Sequence, residues 1–331
     1  MKAIVWTKYG SPDGLKLQDV EKPAPKDHEV LIKIFAASVS TPDTEIRQLK
    51  GLQLFTLPLR FYLGLIRPTR ITILGSEFAG EIAAVGNNGT RFQPGEQVFG
   101  YTGLRLGTYA EYLCSPENPS GLGGVLAPKP ANLSYEEAAA VPFGALEALH
   151  ALQKANLQPG QQVLIVGAGG AIGTYAVQLA RHYGAEVTGV DKPGKLEMLR
   201  ALGAGQVIDY TRENFTQNGC QYDVILDTIS KSPFFSSLKS LKENGAYLNA
   251  KPGLVGSLWL RLFAKKSSKR VIKWSWGCTT KKLLEVKALV EAGTIQPVID
   301  RRYTFEQVVE AHRYVDTGQK KGTVVLTVAS Q

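Results

Sequence analysis

An apolar run, Val163 to Val166, leads into Gly167, Ala168, Gly169, Gly170, Ala171, Ile172 and Gly173, and then into a stretch of helical period that ends near Tyr183. In such a pattern one glycine permits a tight turn and a second lets the backbone approach an anion. A third, Gly173, lets the helix lie close against the strand. The first N–H groups of the helix have no intrahelical partner, and they sit at the positive end of its dipole. A pyrophosphate is the ligand such a turn suits. Asp191 closes the next apolar run about 20 residues on, where the dinucleotide fingerprint has an acid for a ribose. The spacing therefore predicts a dinucleotide site built on Gly167, Gly169, Gly170, Ala171, Ile172, Gly173 and Asp191, with Thr228 ending a later strand beside it.

The residues around Asp191 bear on which dinucleotide is bound. Its carboxylate can accept hydrogen bonds from both hydroxyls of an adenosine ribose, which selects NAD(H), and its charge repels a 2′-phosphate. Lys192 and Lys195 lie within four residues of it, and Tyr210 closes the following strand. Two ammonium groups can neutralise the acid and hold a 2′-phosphate. Lys192, Lys195 and Tyr210 outnumber Asp191, so the sequence leans to NADP(H) over NAD(H).

Positioning these residues requires alternating strands and helices. From Gln162 onward the chain alternates strand-like runs (Gln162–Val166, Glu186–Val190, Gln206–Ile208, Tyr222–Asp227, Tyr247–Ala250) with helical stretches (Ala171–Tyr183, Leu196–Leu202, Pro233–Leu241). Strands separated by helices need crossovers, so they form a parallel sheet with helices on both faces. The first ~120 residues read differently. Short apolar runs at Lys2–Trp6, Glu29–Ala36, Gly80–Val85, Gln97–Tyr101 and Thr108–Leu113, broken by Gly and Pro, predict a β-rich module. Pro128 and Pro130 mark the passage into a helical stretch, Ser134–Leu152. The tail offers a strand at Arg270–Trp276, a helix at Lys281–Ala292, a strand at Val298–Tyr303, a helix at Phe305–Thr317 and a last strand, Thr323–Val328, expected to rejoin the first module.

Length and composition are those of a two-domain globular chain: 331 residues, 44% hydrophobic and 20% charged. Global disorder is excluded. Thirty-eight lysines and arginines against 29 acids give a net charge of +9, which favours anionic partners without choosing among them. The acid-free run of cations from Arg261 to Lys273 reads as a solvated loop and strand edge rather than a nucleic-acid or membrane contact. Cys114, Cys220 and Cys278 are too few and too scattered for a disulfide framework or a zinc knot. Met1 to Gly10 lacks the pattern of a secretory signal. Leu52–Ile66 falls short of the ~18 uninterrupted apolar residues of a membrane span. A cytoplasmic enzyme in a reducing compartment is the expectation.

Several short motifs carry a family resemblance: Ala36-Ala-Ser-Val-Ser-Thr-Pro-Asp43, Leu74-Gly-Ser-Glu-Phe-Ala-Gly-Glu-Ile82, Pro94-Gly-Glu-Gln-Val-Phe-Gly100, Gly107-Thr-Tyr-Ala-Glu-Tyr112 and Ala138-Ala-Ala-Val-Pro142. Together with the glycine turn and Gly203 through Tyr210, they make nearly the whole chain resemble the medium-chain dehydrogenase/reductases, in particular their zinc-free quinone-oxidoreductase and enone-reductase branch. The resemblance implies an α/β architecture. A GroES-like β-rich catalytic domain (1–123 and 279–331) would carry an inserted Rossmann domain with a doubly wound parallel sheet (124–278), and the active site would lie in the cleft.

In zinc-dependent members a cysteine and a histidine bind the catalytic metal where this chain has Ser40 and Ser76, and neither hydroxyl replaces them. The resemblance thus implies no zinc, and hydride delivery to a small hydrophobic quinone or α,β-unsaturated carbonyl. Candidate hydrogen-bond donors to the substrate oxygen are Ser40, Thr41 and Tyr62, assisted by cofactor 2′-hydroxyls. The branch usually has asparagine at Ser40, threonine at Glu147 and glycine at Ser230. Asp43, followed by Arg47, reads as a helix cap and ion pair, and Glu77 as an ion-paired structural acid. The inserted run Leu49–Ile73, with Phe55, Phe61, Tyr62 and Leu65, reads equally as a lid for an apolar acceptor or as domain packing. The edge strand Arg270–Trp276 predicts a homodimer. A catalytically weak nucleotide-binding or RNA-binding scaffold of the same fold, and a zinc-free alcohol dehydrogenase, are the rival functions.

Overall fold

The computed structural model describes residues 1–49, 57–230, 232–250, 268–274 and 277–329. The chain forms two compact units. One comprises Met1–Phe143, Cys278–Glu291 and Pro297–Gln331; the other comprises Gly144–Gly277 and Ala292–Gln296.

The first unit is organised around β3 (Glu29–Val39), whose Val-Leu-Ile and Ile-Phe-Ala-Ala runs are buried on both faces. Its β-branched residues favour the extended chain, and neighbouring strands cover them. β3 pairs antiparallel with β4 (Glu77–Val85), which pairs with β5 (Gln97–Tyr101), and β5 pairs with β7 (Val125–Pro128). β6 (Tyr112–Pro116) adds to β3. Two irregularities in the β3–β4 register, at Leu31/Ile32 and Ile34/Ala36, bend the sheet around a core of Val30, Ile32, Ile34, Phe78, Ile82 and Val98.

The C-terminal strand β15 (Thr323–Thr327) inserts between β3 and β14 (Ile299–Thr304), so the tail rejoins the first module as expected. A hairpin of β1 (Lys2–Trp6) and β2 (Leu15–Asp19) and the late helix Val308–Asp316 close a second core containing Trp6, Leu15, Tyr109, Val308 and Leu326. Burying each large apolar side chain there contributes about 1.5–3 kcal/mol.

This unit runs on to Phe143, past the division expected at residue 123. β7 is hydrogen-bonded to β5, and the short α3 (Tyr135–Ala139) packs on β3 and β4. The helix expected over Ser134–Leu152 is in fact two helices, α3 and α4 (Pro142–Ala155). Pro142 has no N–H to continue α3 and suits the first turn of α4. The strand expected at Thr108–Leu113 forms four residues later, as β6.

The second unit is a six-stranded parallel sheet of order β10-β9-β8-β11-β12-β13, comprising β8 (Gln162–Val166), β9 (Glu186–Asp191), β10 (Gln206–Asp209), β11 (Tyr222–Asp227), β12 (Leu241–Asn249) and β13 (Arg270–Lys273). Its helices include α5 (Ala171–His182), α6 (Pro193–Ala201) and α7 (Phe234–Lys239). From β8 the chain steps outward to β9 and β10, then crosses back to β11 on the other side, so strand order reverses between β8 and β11. In open parallel sheets, ligands bind at the carboxyl ends of the strands at such a point. The architecture is the expected one, a GroES-like unit and a Rossmann-like parallel sheet. Of the basic run Arg261–Lys273, residues up to 267 lie outside the described ones, as does Trp276 of the strand read over Arg270–Trp276. Lys269 and Arg270 donate to the carbonyls of Leu238 and Ala155, so these two cations are tied to the fold.

Candidate functional site

The glycine turn follows β8 directly. Gly167 has φ +75°, in the left-handed region that glycine enters without strain. Gly170 is the N-cap of α5 and, as a glycine, brings no side chain to the helix N-terminus, where the first N–H groups face an anion position. Gly173 is required by close approach: a Cβ there would lie 2.4 Å from the Gly167 carbonyl oxygen and 2.5 Å from that of Ala168. Thr228 follows β11 and closes the turn from the other side, its hydroxyl donating to the Val166 carbonyl at 2.9 Å. The structure thus brings Gly167, Gly169, Gly170, Ala171, Ile172, Gly173 and Thr228 together at the point where strand order reverses. Their geometry fits a dinucleotide pyrophosphate.

Asp191 ends β9 beside this turn, with both carboxylate oxygens engaged. Oδ2 accepts the Gly169 N–H and Oδ1 the Lys192 N–H, each at 2.8 Å, and the Lys195 ammonium sits 3.3 Å from Oδ1. Asp191 and Lys195 are both buried. A Cβ on Gly169 would meet the Lys195 side chain at 2.5 Å, which is why that turn position is glycine. The carboxylate therefore clasps the turn and is neutralised by Lys195. Lys192 is half-buried, and its ammonium forms no ion pair among the described residues. Tyr210 is 48% exposed, and its backbone N–H reaches the Asp191 carbonyl.

In the first unit, Ser40 is buried and caps α1 (Thr41–Gln48). It forms a capping box: the Asp43 N–H donates to Ser40 Oγ, while Asp43 Oδ2 accepts the Ser40 N–H at 2.8 Å and its hydroxyl at 2.5 Å. Ser76, just before β4, reaches the other oxygen of the same carboxylate at 3.4 Å. The positions where zinc-dependent relatives hold a cysteine and a histidine thus carry two hydroxyls that converge on Asp43. Burial pushes Asp43 up to about 6, against the pull of Ser40 and Ser76.

Glu77 is the neighbouring acid. The β3–β4 register, one step beyond the pair Ala37 and Phe78, sets it opposite Ser38, whose hydroxyl donates to it at 2.5 Å. The Phe143 N–H donates to its other oxygen at 2.8 Å. Burial pushes Glu77 up to about 7, with the Asp43 charge adding to the effect. The buried Tyr109 hydroxyl is driven well above its usual range by desolvation and by Asp43.

Not every expected residue joins this cluster. Thr41 is exposed, and Tyr62 lies 47% exposed on α2 (Leu57–Leu63) with the Arg70 guanidinium 4.5 Å over its ring. The cap at Asp43 forms, but its ion pair does not. Arg47, fully buried, pairs instead with Asp316 at 2.5 Å and donates to Gly10 and His312. Glu77 has hydrogen-bond partners in Ser38 and Phe143 rather than a salt bridge. Of the run Leu49–Ile73, residues 50–56, Phe55 included, lie outside the described ones. Leu59, Leu63, Ile71 and Ile73 pack in the core, whereas Phe61 and Leu65 are exposed.

Sequence reasoning missed several groups. Asp227, at the end of β11, accepts backbone N–H bonds from Ile229, Ser230 and Ser232. Ser230 has φ +54°, in the left-handed region that glycine enters without strain and other residues rarely adopt. Glu147 accepts the Trp274 indole N–H at 2.6 Å inside the second unit.

One family model, described as an alcohol dehydrogenase GroES-like domain, matches residues 26–121, and another, described as a zinc-binding dehydrogenase, matches 202–326. The metal implied by that second description was tested against the donors present. Ser40 and Ser76 offer neutral hydroxyls, and no group of three or more His, Cys, Asp or Glu among the described residues is gathered to hold a metal ion. These residues do not fit a zinc ion.

The chain is 34% identical to a 2-methylene-furan-3-one reductase of Solanum lycopersicum, covering 98% of this chain and 79% of the relative. It is 30% identical, with the same coverage, to an NADPH-dependent alkenal/one oxidoreductase, chloroplastic, of Arabidopsis thaliana. A quinone oxidoreductase from Coxiella burnetii has the same fold, with a TM-score of 0.87 at 28% identity over 99% of both chains. The chain belongs to the medium-chain dehydrogenase/reductase superfamily, among its quinone oxidoreductase and enone reductase members.

Proposed function

We propose that this NAD(P)H-dependent oxidoreductase works without zinc, reduces quinones or α,β-unsaturated carbonyls, and prefers NADP(H). The observation that carries this reading is the convergence of the Ser40 and Ser76 hydroxyls on Asp43 at positions where a metal would need cysteine and histidine. The glycine turn with Thr228 holds the pyrophosphate. Asp191, already neutralised by Lys195, no longer repels a 2′-phosphate, and Lys192 and Tyr210 are left to meet it. When bound, the nicotinamide supplies a hydride equivalent. The enone gains that hydride at its β-carbon and a proton at its α-carbon; the quinone gains one hydride and one proton in all.

The chain's task is to hold the substrate oxygen as negative charge develops there. Ser40 supplies the donor, and Asp43 sets which way its proton points. Ionised, Asp43 keeps the Ser40 hydrogen. Protonated, it donates to Ser40 Oγ and frees that hydrogen for the substrate oxygen. Thr41, on the solvent side of the cap, and Tyr62 on α2 are the further candidate donors; they lie apart from the Ser40–Asp43 pair and rank behind it.

The test is NADPH oxidation with panels of enones and quinones by protein shown metal-free by elemental analysis. Turnover that disappears on chelation and returns with zinc would overturn the zinc-free reading. NADP⁺-dependent alcohol oxidation, or nucleotide binding with no turnover of any acceptor, would each reject the reductase reading. The same reading makes the protein a cytoplasmic homodimer. Cys114, Cys220 and Cys278 form no disulfide among the described residues, as suits a reducing compartment. β13 ends its sheet with one edge unpaired among the described residues, and a second copy can extend it. Sedimentation at the monomer mass would refute the dimer.

A further inference from the structure

Immediately after α2 the chain folds into a knuckle fastened from behind. Leu63 is buried in the core, and its carbonyl accepts the N–H groups of both Thr69 and Arg70, at 2.9 and 3.2 Å. Gly64, at φ +131°, makes the reversal; a Cβ there would lie 2.1 Å from the Arg67 carbonyl oxygen. The Tyr9 hydroxyl donates to the Gly64 carbonyl at 2.5 Å, and Arg60 lies 4.4 Å over the Tyr9 ring. The backbone is thus locked.

What it presents to water is apolar: Phe61 is 69% exposed, Leu65 46% and Ile66 86%. A fastened turn that holds three large apolar side chains outward marks a contact surface. Exposed Arg67 and Arg70 flank it, and neither has an ion-pair partner among the described residues. From Ile46 to Ser76 the sequence contains no acidic residue.

We propose that this knuckle docks the protein on the surface of an anionic lipid bilayer. Ile66, Leu65 and Phe61 would enter the headgroup–acyl boundary, and Arg67 and Arg70 would meet lipid phosphates. Charge selects this occupant. In a two-fold contact of this segment with a second copy, Arg67 and Arg70 would face their own equivalents, and residues 46–76 offer no acid to pair with. A branched aliphatic tip, Ile66, has no base to stack on and no groove edge to read, which sets a nucleic acid aside. The inference is independent of the reaction proposed above.

The test uses the full chain in co-sedimentation with phosphatidylcholine vesicles, with and without about one-quarter phosphatidylserine. Binding is expected only with the anionic vesicles and is expected to weaken with added salt. Ile66→Ser should lower it about tenfold and the Arg67→Ala/Arg70→Ala pair about 25-fold, at roughly fivefold per cation. These side chains face water, so the thermal midpoint of each variant should match that of the parent. No binding to anionic vesicles, or binding that neither variant weakens, overturns the proposal. So does RNA binding or self-association that the same substitutions abolish in a protein that ignores vesicles.

Discussion

Replacing Gly173 by alanine tests the glycine turn at one atom. The added Cβ would stand 2.4 Å from the Gly167 carbonyl oxygen and 2.5 Å from that of Ala168, and neither can swing aside as a side chain would. The Gly167 carbonyl also accepts the Gly170 N–H at 3.1 Å. Relief requires α5 to move off β8 by about 1 Å, at an overpacking cost of about 1–3 kcal/mol, offset by up to about 1 kcal/mol from the better helix propensity of alanine. A net loss of about 1–2 kcal/mol in a domain of this size lowers the thermal midpoint by about 2–8 °C.

The same shift moves the helix N-terminus that would face the pyrophosphate, so NADPH affinity should fall by at least tenfold, about 1.4 kcal/mol. Gly170→Ala is the control. Its Cβ would have only the Gly167 oxygen nearby, at 3.4 Å, and φ is −87°, so the loss of stability should stay under about 1 kcal/mol. Calorimetry and a binding titration on both variants decide the matter. A Gly173→Ala protein that melts with the parent and binds NADPH equally well, or a Gly170→Ala protein damaged as badly, would refute the packing reasoning.

Asp43 and Glu77 should give a pH signature of their own. Folding raises Asp43 from 3.8 to about 6 and Glu77 from 4.5 to about 7. Their contribution to stability is therefore fully present below about pH 4 and is lost as pH rises through the folded values. In urea melts, Asp43→Asn should remove the part of that fall between about pH 4 and 6, and Glu77→Gln the part between about 4.5 and 7; variants whose difference from the parent stays flat with pH would contradict this. Asp43→Asn should also abolish the decline of activity above about pH 6 that the Ser40 mechanism requires. Arg47→Ala leaves the exposed Asp316 carboxylate with the Gln48 amide and removes a fully buried side chain that also donates to Gly10 and His312. It should cost about 2–3 kcal/mol, mostly from the emptied site and the stranded Gly10 and His312 partners, visible in denaturant melts, and a loss under about 0.5 kcal/mol would show the Arg47 contacts to be dispensable. Lys192→Ala should weaken NADPH binding about tenfold and leave NADH binding within about twofold, as read by parallel titrations. Equal losses for both nucleotides would remove the 2′-phosphate from the account.

The parts legible in the sequence were those fixed by local physical constraints. A strand, a glycine-rich turn and a helix leave a contiguous pattern, and Gly167, Gly173 and the strands around them fall where that pattern puts them. The return of β15 to the first unit was legible too, because a strand-like run at the chain's end needs a partner. What stayed hidden depends on long-range register. Ser38 and Glu77 are ordinary residues until the β3–β4 pairing sets them opposite each other, and nothing near Arg47 in sequence announces Asp316 as its partner.

Asp191 shows what a local reading leaves out. The fingerprint rightly put an acid beside the turn, and the residue type suggested a ribose ligand. In the folded chain Lys195, one helical turn on, and the Gly169 N–H reach that carboxylate first. Its charge is thus met inside the fold by an ammonium that the residue type alone does not announce. Lys192, whose ammonium has no ion pair among the described residues, is the group whose replacement tests whether a 2′-phosphate is bound beside that turn.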